Sequence, residues 1–288
     1  MSVTTHERPG VYSEYDASSV VQGRQGRKMV GMAAIHATAP AGVPQTVTSY
    51  EGALIAFGST GGQDMTELIR LALKNGAAGV VAVPVADEEG YEAAFAALAA
   101  MDDIGVVICD SVDREVQQSL RDSAAAASAA RRERIAVAAG GAGETVTELL
   151  ERAKALNSER VVLVAPGISE EAGGALVAAA VAGAICGEGD PALPLGGVEL
   201  RGIPGLALRY GESELDTLLQ GGVTPVELAG GVCSVVRGVT TRTTTGGVSD
   251  STWRELTTIL VVDDVIPGVR NALRAKFPRA KNTAQSRS

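Results

Sequence analysis

From residue 29 onward, short apolar runs alternate with longer amphipathic stretches. The apolar runs are rich in Val and Ile and have no polar face, which is typical of parallel strands covered by helices on both sides. The predicted strands are residues 29–37, 79–85, 104–110, 134–139 and 160–165. The predicted helices are residues 64–75, 88–101, 112–132, 144–157 and 169–186. The alternation predicts an α/β fold with a mostly parallel sheet flanked by helices.

Beyond Cys186 the alternation becomes irregular. A loop-rich stretch is followed by a predicted helix over 212–220 and strands over 223–227 and 232–239. The Thr- and Gly-rich residues 240–252 predict an exposed loop. Residues 253–277 predict a long helix that is interrupted at Pro267-Gly268, because proline has no main-chain N–H to donate a helical hydrogen bond.

Residues 1–28 are polar, lack helical periodicity and contain too few apolar side chains to form a core. They predict an extended arm that packs on something else. The chain is therefore divided into an arm (1–28), an α/β core domain (29–244) and a C-terminal segment (245–288) that begins a second, α+β domain.

Composition excludes several functional classes. The 288 residues carry a net charge of −9 and include only nine aromatic side chains, three Phe, five Tyr and one Trp. A nucleic-acid partner is not predicted, because base stacking needs aromatic platforms beside a basic surface. The N-terminus has no signal-peptide pattern, and the longest apolar stretch is too short to span a membrane. The three scattered cysteines show no zinc or redox motif, and Cys109 and Cys186, inside apolar runs, are expected to be buried, reduced thiols.

The best cofactor candidate is the turn Gly140-Gly141-Ala142-Gly143 between a strand and a helix, where a dinucleotide-binding loop would hold a pyrophosphate. The third glycine of that pattern is replaced by Val146, however, and Glu144 puts negative charge at the phosphate position. An ordinary turn is the favoured interpretation. A cytoplasmic α/β enzyme that binds a nucleotide here remains the alternative.

Other catalytic patterns are absent from the sequence. There is no GxxxxGK[ST] loop, and no GxSxG elbow accompanies His36 to form a hydrolase triad. The paired acids Asp102-Asp103 and Asp263-Asp264 predict surface caps and ion pairs, because adjacent side chains point in different directions. The sequence therefore predicts a protein that is not an enzyme and that needs no cofactor or metal.

A basic cluster near the C-terminus contrasts with the acidic remainder. It consists of Arg270, Arg274, Lys276, Arg279, Lys281 and Arg287. One interpretation is a solvated helix face and tail. The other is a patch that meets acidic surface on another copy of the chain, which favours head-to-tail contacts and hence rings or filaments.

Four segments, in this order, resemble the tail sheath proteins of contractile phage tails and phage-tail-like bacteriocins. They are ERPGVYSEY (7–15), LNSERVVLVAPG (156–167), LLQGGVTPVELAGGVCSVVRGVTT (218–241) and WRELTTILVVDDVIPGVRNALRAKFPRAKNTAQSR (253–287). The PGVY string and the helix that ends in KNT are the most specific parts. The resemblance runs through most of the chain.

The resemblance implies a structural subunit with a subtilisin-like core that lacks proteolytic function. Such a subunit polymerises helically around an inner tail tube and contracts to drive the tube through the target cell envelope. The implied partners are copies of itself, the tail tube protein, and the baseplate and tail terminator proteins, with no direct nucleic acid and no membrane insertion. The implied location is a phage tail or tail-like particle assembled in the bacterial cytoplasm.

The resemblance also assigns contact residues. Pro9, Gly10, Val11 and Tyr12 are expected to dock the arm on a neighbouring subunit by β-augmentation. A second set is expected to contact another subunit or the tube, namely Arg270, Arg274 and Lys281. Family members normally continue past the KNT segment with further strands, so residues 245–288 are expected to be only the start of a C-terminal assembly domain.

Overall fold

The computed structural model describes residues 28–59, 61–62, 64–169 and 173–276. An eight-stranded sheet forms the centre of this part of the chain, with the strand order β2-β3-β1-β4-β5-β6-β7-β8. The strands are β1 (Met29–Ile35), β2 (Gln45–Val47), β3 (Val80–Val85), β4 (Ile104–Cys109), β5 (Ile135–Ala139), β6 (Val161–Ala165), β7 (Val223–Ala229) and β8 (Val232–Val235). The six central strands are parallel, and the edge strands β2 and β8 are antiparallel to their neighbours.

Helices cover both faces of the sheet. They are α1 (Tyr50–Phe57), α2 (Met65–Lys74), α3 (Tyr91–Ala99), α4 (Arg114–Ala129), α5 (Val146–Leu156), α6 (Ala175–Gly187), α7 (Glu212–Gln220) and α8 (Leu256–Lys276). One core contains side chains of α1, α2 and α6, and the other contains side chains of α3, α4, α5 and α7. The predicted α/β fold with a mostly parallel sheet and flanking helices is confirmed.

Local signals explain why several helices begin where they do. The side chain of Asp113 accepts hydrogen bonds from the main chain of the first turn of α4. Thr145 and Glu148 form a reciprocal capping box at the start of α5, which satisfies two main-chain donors that a helix end otherwise leaves open.

The abundance of Ala and Gly has a packing function in α6. Its residues from Ala175 to Cys186 are all buried, between the sheet and α2. A Cβ atom built on Gly183 would lie 2.2 Å from the carbonyl oxygen of Ala72, so the two helices approach more closely than any side chain at this position would allow. Small residues here permit a backbone-to-backbone contact.

Three sequence predictions were wrong in detail. The stretch between 37 and 64 contains β2 and α1, which the pattern did not indicate. The predicted loop 240–252 contains a hairpin of β9 (Thr244–Thr245) and β10 (Val248–Ser249), turned by Gly246 and Gly247 at positive φ. Helix α8 continues through Pro267 without interruption. One proline removes a single main-chain bond, and ion pairs described below hold α8 on both sides of it.

Candidate functional site

Helix α8 crosses the end of the sheet where the N-terminal residues of the parallel strands lie. Arg160 directly precedes β6, and its guanidinium donates hydrogen bonds of 2.8 and 3.0 Å to the two carboxylate oxygens of Asp263. Asp263 is only 5 % exposed. Burial raises the pKa of Asp263, and the hydrogen bonds from Arg160 act in the opposite direction.

The prediction for the paired acids was partly wrong. Asp102 is exposed and pairs with Arg132 at 2.6 Å, as predicted for a surface acid. Asp263 forms an ion pair but is buried, because the N-terminal half of α8 packs against the core through Leu256 and Ile259. Residues on that face of the helix are withdrawn from solvent whatever their charge.

The predicted basic contact residues have different environments. Arg270 donates a hydrogen bond of 3.1 Å to Glu133, within the same chain, and thereby anchors α8 beyond Pro267. Arg274 is exposed on the next turn. Lys281 lies outside the described residues, as do Pro9, Gly10, Val11 and Tyr12. Of the predicted set, the described part of the chain contains Arg270 and Arg274, one turn apart on α8.

The outer half of α8 displays an apolar surface, here called the α8 stripe. Its members are Val265, Ile266, Val269 and Leu273, each about half exposed. Positions 265, 269 and 273 follow the four-residue spacing that aligns side chains on one face of a helix. Aligned apolar side chains on a protein surface are typical of a protein–protein contact.

A second apolar surface, here called the α1 patch, lies beside the edge strand β2. Tyr50 and Leu54 share one face of α1, and Ile55 next to them is 88 % exposed. The antiparallel strand β2 has only three residues and no neighbour on its outer side within the described chain. Sequence reasoning missed this surface because it predicted no element between residues 37 and 64.

The glycine turn after β5 is occupied by the protein's own groups. The main-chain N–H of Gly141 donates to Glu144 at 2.8 Å, and Arg152 binds the same carboxylate at 2.5 Å. Glu144 thus takes the main-chain donor that a phosphate would need. The nucleotide alternative has no support from this geometry.

Two buried arginines were not singled out from the sequence, Arg152 beside this turn and Arg134 at the opposite end of β5. Arg152 also donates to the carbonyl of Val112 and to Gln117, which joins α5 to α4. Arg134 donates to the carbonyls of Leu98 and Met101 at the end of α3. Each of these hydrogen-bond partners is tens of residues away from its arginine along the chain, so no local pattern predicts the contact. Only the ion pair between Arg152 and Glu144, which are close in sequence, could have been predicted.

The carboxyl ends of β1 and β4 form the point where strand order reverses, a common ligand-binding position in such sheets. Both ring nitrogens of His36 are engaged by main-chain groups, Nε2 with the carbonyl of Phe57 and Nδ1 with the N–H of Ala39. Asp110 accepts hydrogen bonds from the Tyr91 hydroxyl and the Ile35 N–H. Burial raises the pKa of Asp110. These groups stabilise loops, since each polar atom already has a partner.

The remaining chemistry of the described residues is limited. The three cysteines are buried free thiols, as predicted for Cys109 and Cys186, and burial raises the pKa of Cys186 to about 12. Among the residues that the structure describes, no three His, Cys, Asp or Glu side chains form a group that could hold a metal ion. Over the same ranges, no helix combines the length and apolar character needed to cross a membrane.

Comparisons with known structures show the same fold in sheath proteins. The sheath tail protein of Desulfitobacterium hafniense matches with a TM-score of 0.71 at 15 % identity, covering 96 % of this chain and 85 % of that one. The contracted helical sheath of the anti-feeding prophage (AFP) matches with a TM-score of 0.67 at 20 % identity, covering 99 % and 80 %. The sheath tail protein of Listeria innocua matches with a TM-score of 0.69 at 12 % identity, covering 90 % and 79 %.

Sequence comparison gives the family. No curated protein matches the chain directly. The sequence profile of the phage tail sheath protein central domain matches residues 85–241, which is more than half of the chain. That range extends from the end of β3 through β8, and so includes most of the parallel sheet. The resemblance found in the sequence is confirmed, and the chain belongs to the phage tail sheath protein family.

Proposed function

We propose that this protein is the structural subunit of a contractile tail sheath, which polymerises helically around an inner tube and contracts to drive the tube through a target cell envelope. The match of residues 85–241 to the sheath central domain carries this proposal. The fold shared with the contracted AFP sheath over 99 % of the chain supports it. The particle is a phage tail or a tail-like injection system, assembled in the bacterial cytoplasm.

The proposed work is conformational and not enzymatic. Subunits assemble in an extended lattice and relax into a contracted one, and improved contacts between subunits supply the free energy. Membership of a structural-protein family supports a role without catalysis. The self-occupied turn at Gly141 and the fully bonded ring of His36 agree with this role.

Contacts between copies must be heterologous if the assembly is to be helical, so each subunit needs two different surfaces. The α8 stripe and the α1 patch are two such surfaces on different elements. Arg274 adds positive charge near the α8 stripe of a chain with net charge −9. Lys281 lies outside the described residues. The proposed partners of the sheath are the tube, baseplate and tail terminator proteins.

The chain segments receive matching roles. Residues 1–28 form the arm whose Pro9, Gly10, Val11 and Tyr12 dock on a neighbour by strand addition. Residues 29–244 form the core, and residues 245–288 begin the assembly domain. Because Arg270 already pairs with Glu133, Arg274 and Lys281 are the better candidates for contact with another subunit or the tube.

The test is co-expression of the full chain with its tail tube protein, followed by negative-stain electron microscopy. Striated tubes are expected, and they should form without added nucleotide. Monomers alone, in the presence of tube protein and with residues 1–20 intact, would contradict the proposal. Removal of residues 1–20 is expected to leave a folded protein that forms no tubes.

A charge reversal tests the basic contact. Arg274→Glu is expected to weaken binding to the tube or to neighbouring subunits, with a loss that decreases at high salt. Arg209→Glu is the matched control, because Arg209 is also exposed but lies far from α8 in the chain. Equal effects of the two substitutions would remove Arg274 from the contact.

A further inference from the structure

A solvent-accessible groove lies at the edge of the sheet where the parallel strands begin. It runs between the first turns of α8 and the loop that follows α6, and it is open to solvent. Its apolar lining includes Ile185, Leu193, Leu195, Leu256 and Leu260. Leu193 is about half exposed, so apolar surface remains available in the described structure. We call this feature the basal groove.

The rim of the basal groove is acidic. Glu188, Asp190 and Asp264 line it, and none of these three carboxylates forms an ion pair with a residue of the described chain. Glu188 accepts hydrogen bonds from the main-chain N–H groups of Gly189 and Asp190, which holds its carboxylate in place. An apolar floor beside unpaired carboxylates fits a segment that contains both apolar and basic residues and no acidic one.

The main chain enters the described structure at this groove. Lys28 lines it, and its side chain lies across Gly105 so closely that a Cβ atom built there would be 2.5 Å from the Lys28 Cδ atom. Lys28 is also close enough to Cys186 and Asp263 to act on their pKa values. Lys28 therefore lies at the mouth of the groove, and the residues before it are outside the described part of the chain.

The segment that precedes Lys28 has the complementary chemistry. Residues 20–27 read VVQGRQGR, with two valines, two arginines and no acid. The seven residue-to-residue steps from Val21 to Lys28 span about 23 Å when extended, at ~3.3 Å per step. The stretch of α8 that borders the groove, from Leu256 to Asp264, is only about 12 Å long at ~1.5 Å per residue. The segment is therefore long enough to follow the groove from end to end.

We propose that residues 20–27 of the same chain bind in the basal groove. Val20 and Val21 lie on the apolar floor, and Arg24 and Arg27 pair with the carboxylates of the rim. The free part of the arm then begins near residue 19, at the far end of the groove, and not at Lys28. This inference does not depend on the proposed sheath function, since it concerns a contact within one chain.

Disulfide trapping in the full chain tests the occupant. Val21→Cys with Leu260→Cys is expected to form an intramolecular disulfide on mild oxidation, seen as a fast-migrating monomer on a non-reducing gel. The matched pair Val11→Cys with Leu260→Cys should react at least about tenfold more slowly, because Val11 lies outside the proposed segment. Equal rates would mean random collision of a tethered arm and would overturn the proposal.

The same gel also distinguishes residues 20–27 from other possible occupants of the basal groove. A disulfide-linked dimer of the Val21→Cys/Leu260→Cys protein would assign the groove to the arm of a second copy. Rapid trapping of Ala280→Cys with Leu260→Cys, without trapping of Val21→Cys, would assign it to the basic residues that follow α8. Either result, or no disulfide in any pair, would overturn the proposal.

A second readout measures the charge complementarity. The triple substitution Glu188→Gln, Asp190→Asn and Asp264→Asn keeps the loop's hydrogen-bond acceptors but removes the rim charge. Trypsin cleavage at Arg24 and Arg27 is expected to become about tenfold faster, while cleavage at Arg8 is unchanged. Glu51→Gln, Glu89→Gln and Glu92→Gln together form the control, because they remove three exposed charges elsewhere. Unchanged cleavage in the first variant would contradict the pairing.

Discussion

The carboxylate of Asp263 is held by both terminal nitrogens of Arg160, at 2.8 and 3.0 Å, across 103 residues of sequence. This buried ion pair fixes the C-terminal helix α8 on the beginning of strand β6. The outer half of α8, with its exposed apolar side chains, takes its position from this contact and from the pair between Arg270 and Glu133.

Asp263→Ala is expected to lower the free energy of unfolding by about 3–5 kcal/mol, because it leaves the Arg160 guanidinium buried without its partner. Urea unfolding followed by circular dichroism measures the change. The double variant Arg160→Met/Asp263→Leu should recover most of the loss, since replacing both charges by apolar groups leaves neither one unpaired.

Asp102→Ala is the control for this prediction. Its pair with Arg132 is exposed, so a loss of at most about 1 kcal/mol is expected. If Asp263→Ala and Asp102→Ala cost the same, the Arg160–Asp263 pair does not anchor α8.

Asp110 should lower the free energy of unfolding as pH rises, which is opposite to the usual effect of a carboxyl group in a folded protein. Burial raises its pKa above the ordinary 3.8, so the native state retains a proton that the unfolded state has lost. Its contribution to stability therefore falls as pH rises above 3.8. The free energy of unfolding of Asp110→Asn, relative to the unsubstituted protein, is expected to increase over this window and to level off once the native carboxyl ionises.

Asp250→Asn provides a control of opposite sign. Hydrogen bonds from Thr245 and Thr252 lower the pKa of Asp250 to about 2, so its contribution is present above pH 3.8 and lost as pH falls toward 2. The relative stability of Asp250→Asn should therefore decrease as pH rises from 2 to 3.8. Parallel pH profiles for the two variants would contradict the assignment of Asp110.

Gly183→Ala should destabilise the contact between α6 and α2. The added Cβ would lie 2.2 Å from the Ala72 carbonyl oxygen, and separating the two helices is expected to cost about 1–3 kcal/mol. Thermal unfolding measures the loss. Gly205→Ala is the control, since a Cβ there meets no atom within 4 Å, and it should leave the melting temperature nearly unchanged.

Substitutions on the two apolar surfaces should separate assembly from folding. Ile55→Glu on the α1 patch and Val269→Glu on the α8 stripe change exposed positions, so each should alter the free energy of unfolding by no more than about 0.5 kcal/mol. Each is expected to abolish tube formation in the electron microscope. Leu208→Glu, at another exposed position, should assemble normally. Normal tubes from both charged variants would remove these surfaces from the lattice contacts.

Much of the fold was predictable because its signals are local. The apolar runs at β1, β3, β4, β5 and β6 have no polar face. Both faces of such strands must be buried, and a layer of helices on each side of the sheet buries them. The sequence also favoured an ordinary turn at Gly140–Gly143, since Glu144 indicated a carboxylate at the phosphate position, and the structure agrees with it. Helix α1 escaped prediction because its exposed Leu54 and Ile55 break the amphipathic pattern on which such predictions rest.

The sequence by itself determined the α/β class, most strand and helix positions, and, through its four ordered segments, the sheath family. Tertiary structure alone decided which charges are buried and which surfaces remain open. Asp263 and Asp264 are adjacent and chemically identical, yet only Asp263 faces Arg160, while Asp264 borders the basal groove. Arg270 and Arg274 differ in the same way, one paired with Glu133 and the other exposed. The reason is that a residue's environment depends on partners more than a hundred positions away, which no local pattern specifies.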